Sequence, residues 1–235
     1  MKLYIKAWIK FNNVIDYFYD RGFDLKLGIK TAGNKSLDKC NITHPNKIYG
    51  RMYQPTRYRI LKRVFKNLPK DLSGFNFIDL GMGKGRALLF ASQYNLNKII
   101  GIDFAKDLYT DSCQNLKKFK NKFCDRRSIH YLHCKDITEF TPPNGPNIYF
   151  FFDPFKNNLL RKVLEKISKN NNTLKSDLFI YVNPRREFIF NLYGKNIVKN
   201  LENLDFNRTI HFYRDFSQYE NKPHPEFQFG DEYFF

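Results

Sequence analysis

The chain's 235 residues suit one domain with a short extension and suffice for a buried core. Hydrophobic residues make up 42%, which excludes a disordered tail. Lys and Arg total 40 against 23 Asp and Glu, and the formal net charge of +17 either draws polyanionic partners or is a lysine-rich solvated surface, depending on where the charges fall.

In chain order, the N-terminus is not a signal peptide, because Lys6 and Lys10 interrupt its apolar residues and no small-residue cleavage site follows. Trp8, Phe11, Ile15 and Phe18 recur at helical spacing and predict a helix packed on the core; a basic amphipathic membrane anchor is the other reading. No stretch reaches the ~18 uninterrupted apolar residues of a membrane span. An irregular segment rich in Gly, Asn, Lys and Pro follows, so residues 1–52 read as an N-terminal helical and irregular extension and 53–235 as the main domain. A helix is expected over 53–70, with Thr56 as N-cap candidate and Pro69 as a stop.

The pattern then alternates. Strands are predicted at 75–81, 98–104, 129–136, 147–155 and 177–183, with helices at 86–94, 106–119 and 158–168 between them. The unbroken aromatic run Tyr149-Phe150-Phe151-Phe152 suits a strand buried on both faces. Such alternation implies a parallel sheet covered by helices. After residue 195 two further strands are expected, joined by a short connection and so antiparallel. The fold class is therefore α/β: a Rossmann-like, seven-stranded, mostly parallel sheet with an antiparallel terminal hairpin and an N-terminal helical extension.

Cys40, Cys113, Cys124 and Cys134 form no CxxC pair, so no metal site is expected, and reduced thiols in a cytoplasmic protein are the simplest reading. The chemistry gathers at strand ends. Asp79-Leu80-Gly81-Met82-Gly83-Lys84-Gly85 closes the first strand, and glycines there allow a tight turn and close approach to a ligand. Asp103 ends the second strand, where a carboxylate can accept hydrogen bonds from ribose hydroxyls. Asp136 ends the third, where an adenine amino group could be held. A pyrophosphate beside Asp79 would be repelled, whereas a sulfonium and an ammonium would be attracted, so the electrostatics favour S-adenosylmethionine over a dinucleotide.

The ordered set IDLGMGKGR, IIGIDF, CKDI and FFFDPF resembles the motifs of class I S-adenosylmethionine-dependent methyltransferases across roughly residues 75–185. The upstream stretch from Gly28 to Thr56 is similar to a bacterial branch of that superfamily, and the Asp-Leu-Gly turn with an upstream Tyr-x-Pro-Thr also resembles the non-SET protein-lysine methyltransferases. The resemblance implies that Gly81, Gly83 and Gly85 line the methionine part of the cofactor, with Asp103 on the ribose. It also implies that Tyr53 or Thr56 closes over the carboxylate end. Asp153-Pro154-Phe155 is related to the Asp/Asn-Pro-Pro-aromatic motif of amino-group methyltransferases. By that likeness Asp153 would accept hydrogen bonds from a target NH2 and Phe155 would supply the packing ring. The single proline, Pro154, departs from that pattern.

The densest basic run, Lys117, Lys118, Lys120, Lys122, Arg126 and Arg127, is expected on the side of the sheet opposite the site. Arg51, Arg57, Arg59, Arg185 and Arg186 are better placed to meet an acceptor, and that basic surface could contact nucleic acid. The leading expectation is an N-directed methyltransferase acting on a macromolecule, either a protein lysine or a nucleobase. The alternatives are a small-molecule methyltransferase, with Phe227, Phe229, Tyr233, Phe234 and Phe235 as pocket or lid, and a nucleotide-binding protein without catalysis.

Overall fold

A computed structural model describes residues 3–122, 129–170, 177–193, 197–201 and 209–214. Cys124, Arg126, Arg127 and the C-terminal aromatic cluster lie outside these described residues.

Its elements in chain order are α1 (Leu3–Leu27), α2 (Tyr58–Lys66), β1 (Asn76–Leu80), α3 (Arg86–Ala91), β2 (Lys98–Asp103), α4 (Lys106–Lys122), β3 (Ile129–Cys134), β4 (Asn147–Phe152), α5 (Asn157–Asn170), β5 (Leu178–Val182), α6 (Glu187–Leu192), β6 (Ile197–Leu201) and β7 (Ile210–Arg214). They form one seven-stranded sheet in the order β3-β2-β1-β4-β5-β7-β6. β1 to β5 run parallel, and β7 pairs antiparallel with both β5 and β6. The expected α/β fold with its reversed terminal hairpin is therefore present. Strand order reverses between β1 and β4, which places the ligand crevice at their carboxyl ends.

Alternation along the strands splits the core in two. Phe77, Phe150 and Ile180 face the layer holding Leu61, Val64 and Leu88. Ile78, Tyr149, Phe151, Phe179 and Tyr181 face Leu160, Val163 and Phe190. The aromatic run of β4 supplies both layers, as a central strand buried on both faces requires.

Two expectations fail at the N-terminus. α1 forms, but Trp8, Phe11, Ile15 and Phe18 are not packed on the core; they are 48, 64, 42 and 67% exposed. The inward face is acidic. Asp16, Asp20 and Asp24 recur every fourth residue, share one face of the helix, and are buried. Asp16 pairs with Arg57 and Arg59, and Asp20 pairs with the buried Arg86 at 2.6 Å. Asp24 accepts from Thr31 and Ala32 backbone amides at 2.7 and 2.8 Å and from the Tyr58 hydroxyl at 3.0 Å. These ion pairs, which neither partner could satisfy alone inside the protein, select the acidic face. α2 is also shorter than the expected 53–70, and Thr56 is not its cap. Arg57 is the N-cap residue and makes no side-chain cap bond; Asp20 of α1 accepts from the Tyr58 amide at 3.1 Å instead.

Candidate active site

A cavity of about 410 Å³ opens over the carboxyl ends of β1, β2 and β4, within the size range of small-molecule sites. Of the residues singled out in the sequence, Tyr53, Thr56, Asp79, Gly81, Gly83, Asp103, Asp136, Asp153 and Phe155 line it; Gly85 does not.

The turn after β1 is stapled to the end of β2. The amides of Gly81 and Met82 both donate to the Ile102 carbonyl at 3.0 Å, and the Gly83 amide donates to Asp103 Oδ2 at 2.8 Å. Gly81, Gly83 and Gly85 all have positive φ (93, 54 and 81°), which explains the glycines directly. Each also removes a specific clash. A Cβ at Gly81 would stand 2.8 Å from Pro154 Cβ, one at Gly83 would enter the Tyr53 ring, and one at Gly85 would strike the Ser112 hydroxyl of α4. Gly85 therefore packs α3 against α4. Tyr53 itself lies over the turn with its hydroxyl donating to the Thr31 carbonyl at 2.6 Å, and burial holds the phenol far above its ordinary pKa.

Two buried carboxyls face this turn. Asp103 Oδ1 accepts from the Ala105 amide at 2.9 Å, yet burial still pushes the group up to about 6. Asp79 is pushed up to about 8 by burial and by the nearby Asp103. No group among the described residues donates a hydrogen bond to the Asp79 carboxyl. A buried, unanswered carboxylate is costly, so this position demands a cation or a proton. Asp136 is already engaged: it caps the turn Ile137–Glu139 through the Thr138 amide at 2.9 Å and takes Asn46 Nδ2 at 3.1 Å. His44 Nδ1 stands 3.2 Å from its Oδ2. Asp136 thereby ties the N-terminal extension to the site.

At the other end of the cavity Asp153 follows β4 with φ 42°, and Asn183 follows β5 with φ 55°. Left-handed non-glycine residues carry strain and gather at functional sites; Asp and Asn tolerate the conformation best. Asp153 Oδ1 accepts from the Tyr181 hydroxyl at 2.9 Å and from Arg186 Nη1 at 2.7 Å. Its Oδ2 stands 3.4 Å from Arg51 Nε and 3.7 Å from Arg185 Nε, without a hydrogen bond among the described residues. Three guanidiniums thus surround one carboxylate. Burial and the two neighbouring cations lower the pKa of Arg51. The five arginines expected to meet an acceptor divide, with Arg57 and Arg59 held by α1 and Arg51, Arg185 and Arg186 at this lip. Arg51 could not be assigned from spacing, because it reaches Asp153 from the extension. A backbone bond from its amide to the Pro154 carbonyl and the bridge between Gly50 and Phe155 bring it there. Phe155 is buried against Ile78 and Leu80. Lys117, Lys118 and Lys120 point to solvent on α4, away from the cavity lining.

No protein-family model and no curated protein sequence matches the chain. Solved structures do. An RNA methyltransferase from Salinibacter ruber in complex with S-adenosyl-L-homocysteine matches with TM-score 0.50 and 14% identity, over 72% of this chain and 98% of that one. Precorrin 8w decarboxylase from Methanobacterium thermoautotrophicum matches with TM-score 0.50 and 15% identity, over 69% and 92%. A predicted N6-adenine-specific DNA methylase from Listeria monocytogenes matches with TM-score 0.52 and 12% identity, over 68% and 51%. With its glycine turn at the switch point and its reversed terminal hairpin, the chain has the fold of the class I S-adenosylmethionine-dependent methyltransferases.

Proposed function

We propose that the chain is an S-adenosylmethionine-dependent, N-directed methyltransferase whose acceptor is nucleic acid. The observation that carries the cofactor reading is Asp79, a buried carboxyl without a donor beside the glycine turn. The residues fit the group. Asp79 would answer its ammonium and sulfonium, Asp103 would keep one lone pair per oxygen for the ribose, and Tyr53 and Thr56 would close the methionine end. When bound, the cofactor supplies an already activated methyl, so the chain's own work is orientation and exclusion of water.

Asp153 would orient the acceptor. Tyr181 and Arg186 fix Oδ1, and Oδ2, within ion-pair distance of Arg51 and Arg185 but without a hydrogen bond among the described residues, is the atom left to accept from an amino group. Strain at φ 42° is consistent with a carboxylate held for use. The arginine lip favours one of the two macromolecular classes. A lysine side chain would approach three guanidiniums as a cation and be repelled, whereas a nucleic acid brings phosphates that Arg51 and Arg185 can pair with. A small anionic acceptor is the second reading, favoured by the same lip.

The test is transfer of labelled methyl from S-adenosylmethionine into fractionated cell extract. Label removable by nuclease supports the proposal. Label released only by protease overturns the acceptor assignment, and label in the small-molecule fraction selects the second reading.

A further inference from the structure

We infer that α1 is a peripheral membrane-binding helix whose exposed face lies on an anionic lipid surface. The helix is inverted relative to an ordinary packed helix. Its acids are Asp16, Asp20 and Asp24, and all three are buried against arginines. Its opposite face carries Trp8, Phe11, Val14, Ile15, Phe18 and Leu25, between 42 and 79% exposed. At 1.5 Å per residue, the 17 steps from Trp8 to Leu25 make a stripe about 26 Å long. Contiguous apolar patches of this extent are uncommon on monomers and mark interaction sites.

The flanking charges identify the occupant. Lys10 and Arg21 are exposed beside the stripe, and the three carboxylates of α1 are buried on its other face. Arg21 lies over the Tyr17 ring at 5.3 Å, and Tyr17 and Tyr19 add amphipathic rings at the borders. Aromatic and aliphatic residues bordered by cations match the boundary between acyl chains and anionic headgroups. A second copy fits poorly: two such faces would set like cations together with no acid between them, on chains of net charge +17. No helix among the described residues is long and apolar enough to cross a membrane, so the association is in-plane.

Trp8 is the chain's single tryptophan and reports on this face directly. The full chain is titrated with vesicles of equal parts phosphatidylcholine and phosphatidylglycerol, and with phosphatidylcholine vesicles alone. Expected are a blue shift of Trp8 emission and co-sedimentation with the anionic vesicles, much weaker with the neutral ones. Phe11→Ser with Phe18→Ser should weaken sedimentation at least about tenfold, and both side chains are exposed, so the thermal midpoint should hold. No emission shift, or sedimentation unaltered in the double variant, would overturn the inference. So would a concentration-dependent dimer that the double variant abolishes, which would make the face an interface between copies. None of these readouts depends on methyl transfer.

Discussion

Asp103 Oδ2, at the end of β2, accepts a 2.8 Å hydrogen bond from the Gly83 amide. One carboxylate therefore both shapes the glycine turn and offers oxygens to the cavity. Asp103→Ala should lower S-adenosylmethionine affinity at least about tenfold, since charge-assisted hydrogen bonds contribute about 1.5–3 kcal/mol each. Because the turn loses its staple, the variant should also melt earlier, which a ribose contact alone would not cause. Affinity equal to wild type would place the ribose elsewhere.

The pair Asp79 and Asp103 gives the site a pH signature. Both carboxyls are raised in the folded chain, to about 8 and about 6, well above the ordinary carboxyl range. The folded state thus holds protons that the unfolded state has released, and the ligand-free protein should lose stability as pH rises from about 4 through 8. A cationic ligand favours the ionised form, so binding should release protons and tighten over the same window, by at most about tenfold per pH unit for each proton. Calorimetry in buffers of different ionisation enthalpy measures that release. Asp79→Asn should flatten the dependence; an unchanged slope would assign the protons to other groups.

Arg86, the first residue of α3, is 2% exposed and is shared by Asp20, Thr31 and the Thr56 carbonyl. Its guanidinium also lies over the Tyr58 ring at 4.5 Å. Arg86→Ala leaves Asp20 and Asp24 buried without it and should cost about 3–5 kcal/mol in denaturant unfolding. A loss below about 1 kcal/mol would show that α1 is not held by this network.

Gly22 sits inside α1 with nothing within 4 Å of where a Cβ would be. Gly22→Ala should stabilise the protein by about 0.5–1 kcal/mol through backbone entropy. A lower melting temperature would mean that the position is covered.

The strands were legible because β2, with Ile99, Ile100 and Ile102, and the aromatic run of β4 are short continuous apolar runs, as strands buried on both faces are, and the acids at the strand ends followed from the topology. The orientation of α1 was not legible. Periodicity tells which residues share a face, but the choice of inward face was made by Arg57, Arg59 and Arg86, far along the chain. The start of α2 was hidden for the same reason, since its capping acid comes from another helix. At Asp153 the sequence suggested an acceptor contact and set Arg51, Arg185 and Arg186 near it, but not that all three would close on the carboxylate itself. That matters for Asp153→Asn. If the amide oxygen replaces Oδ1 under Tyr181 and Arg186, the NH2 takes the place of Oδ2 and presents a donor where an acceptor is needed. Both Asn and Ala should therefore slow transfer by roughly 10²–10⁴-fold with cofactor affinity little changed. An Asn variant near wild-type rate would remove Asp153 from acceptor orientation.

The most direct measurement is calorimetric titration of the full chain with S-adenosylmethionine at pH 8, repeated with Asp79→Asn. Expected are one site per chain, proton release on binding, and weaker binding without the Asp79 carboxylate. An absence of binding to the wild-type chain would contradict the cofactor reading, whatever the fold resembles.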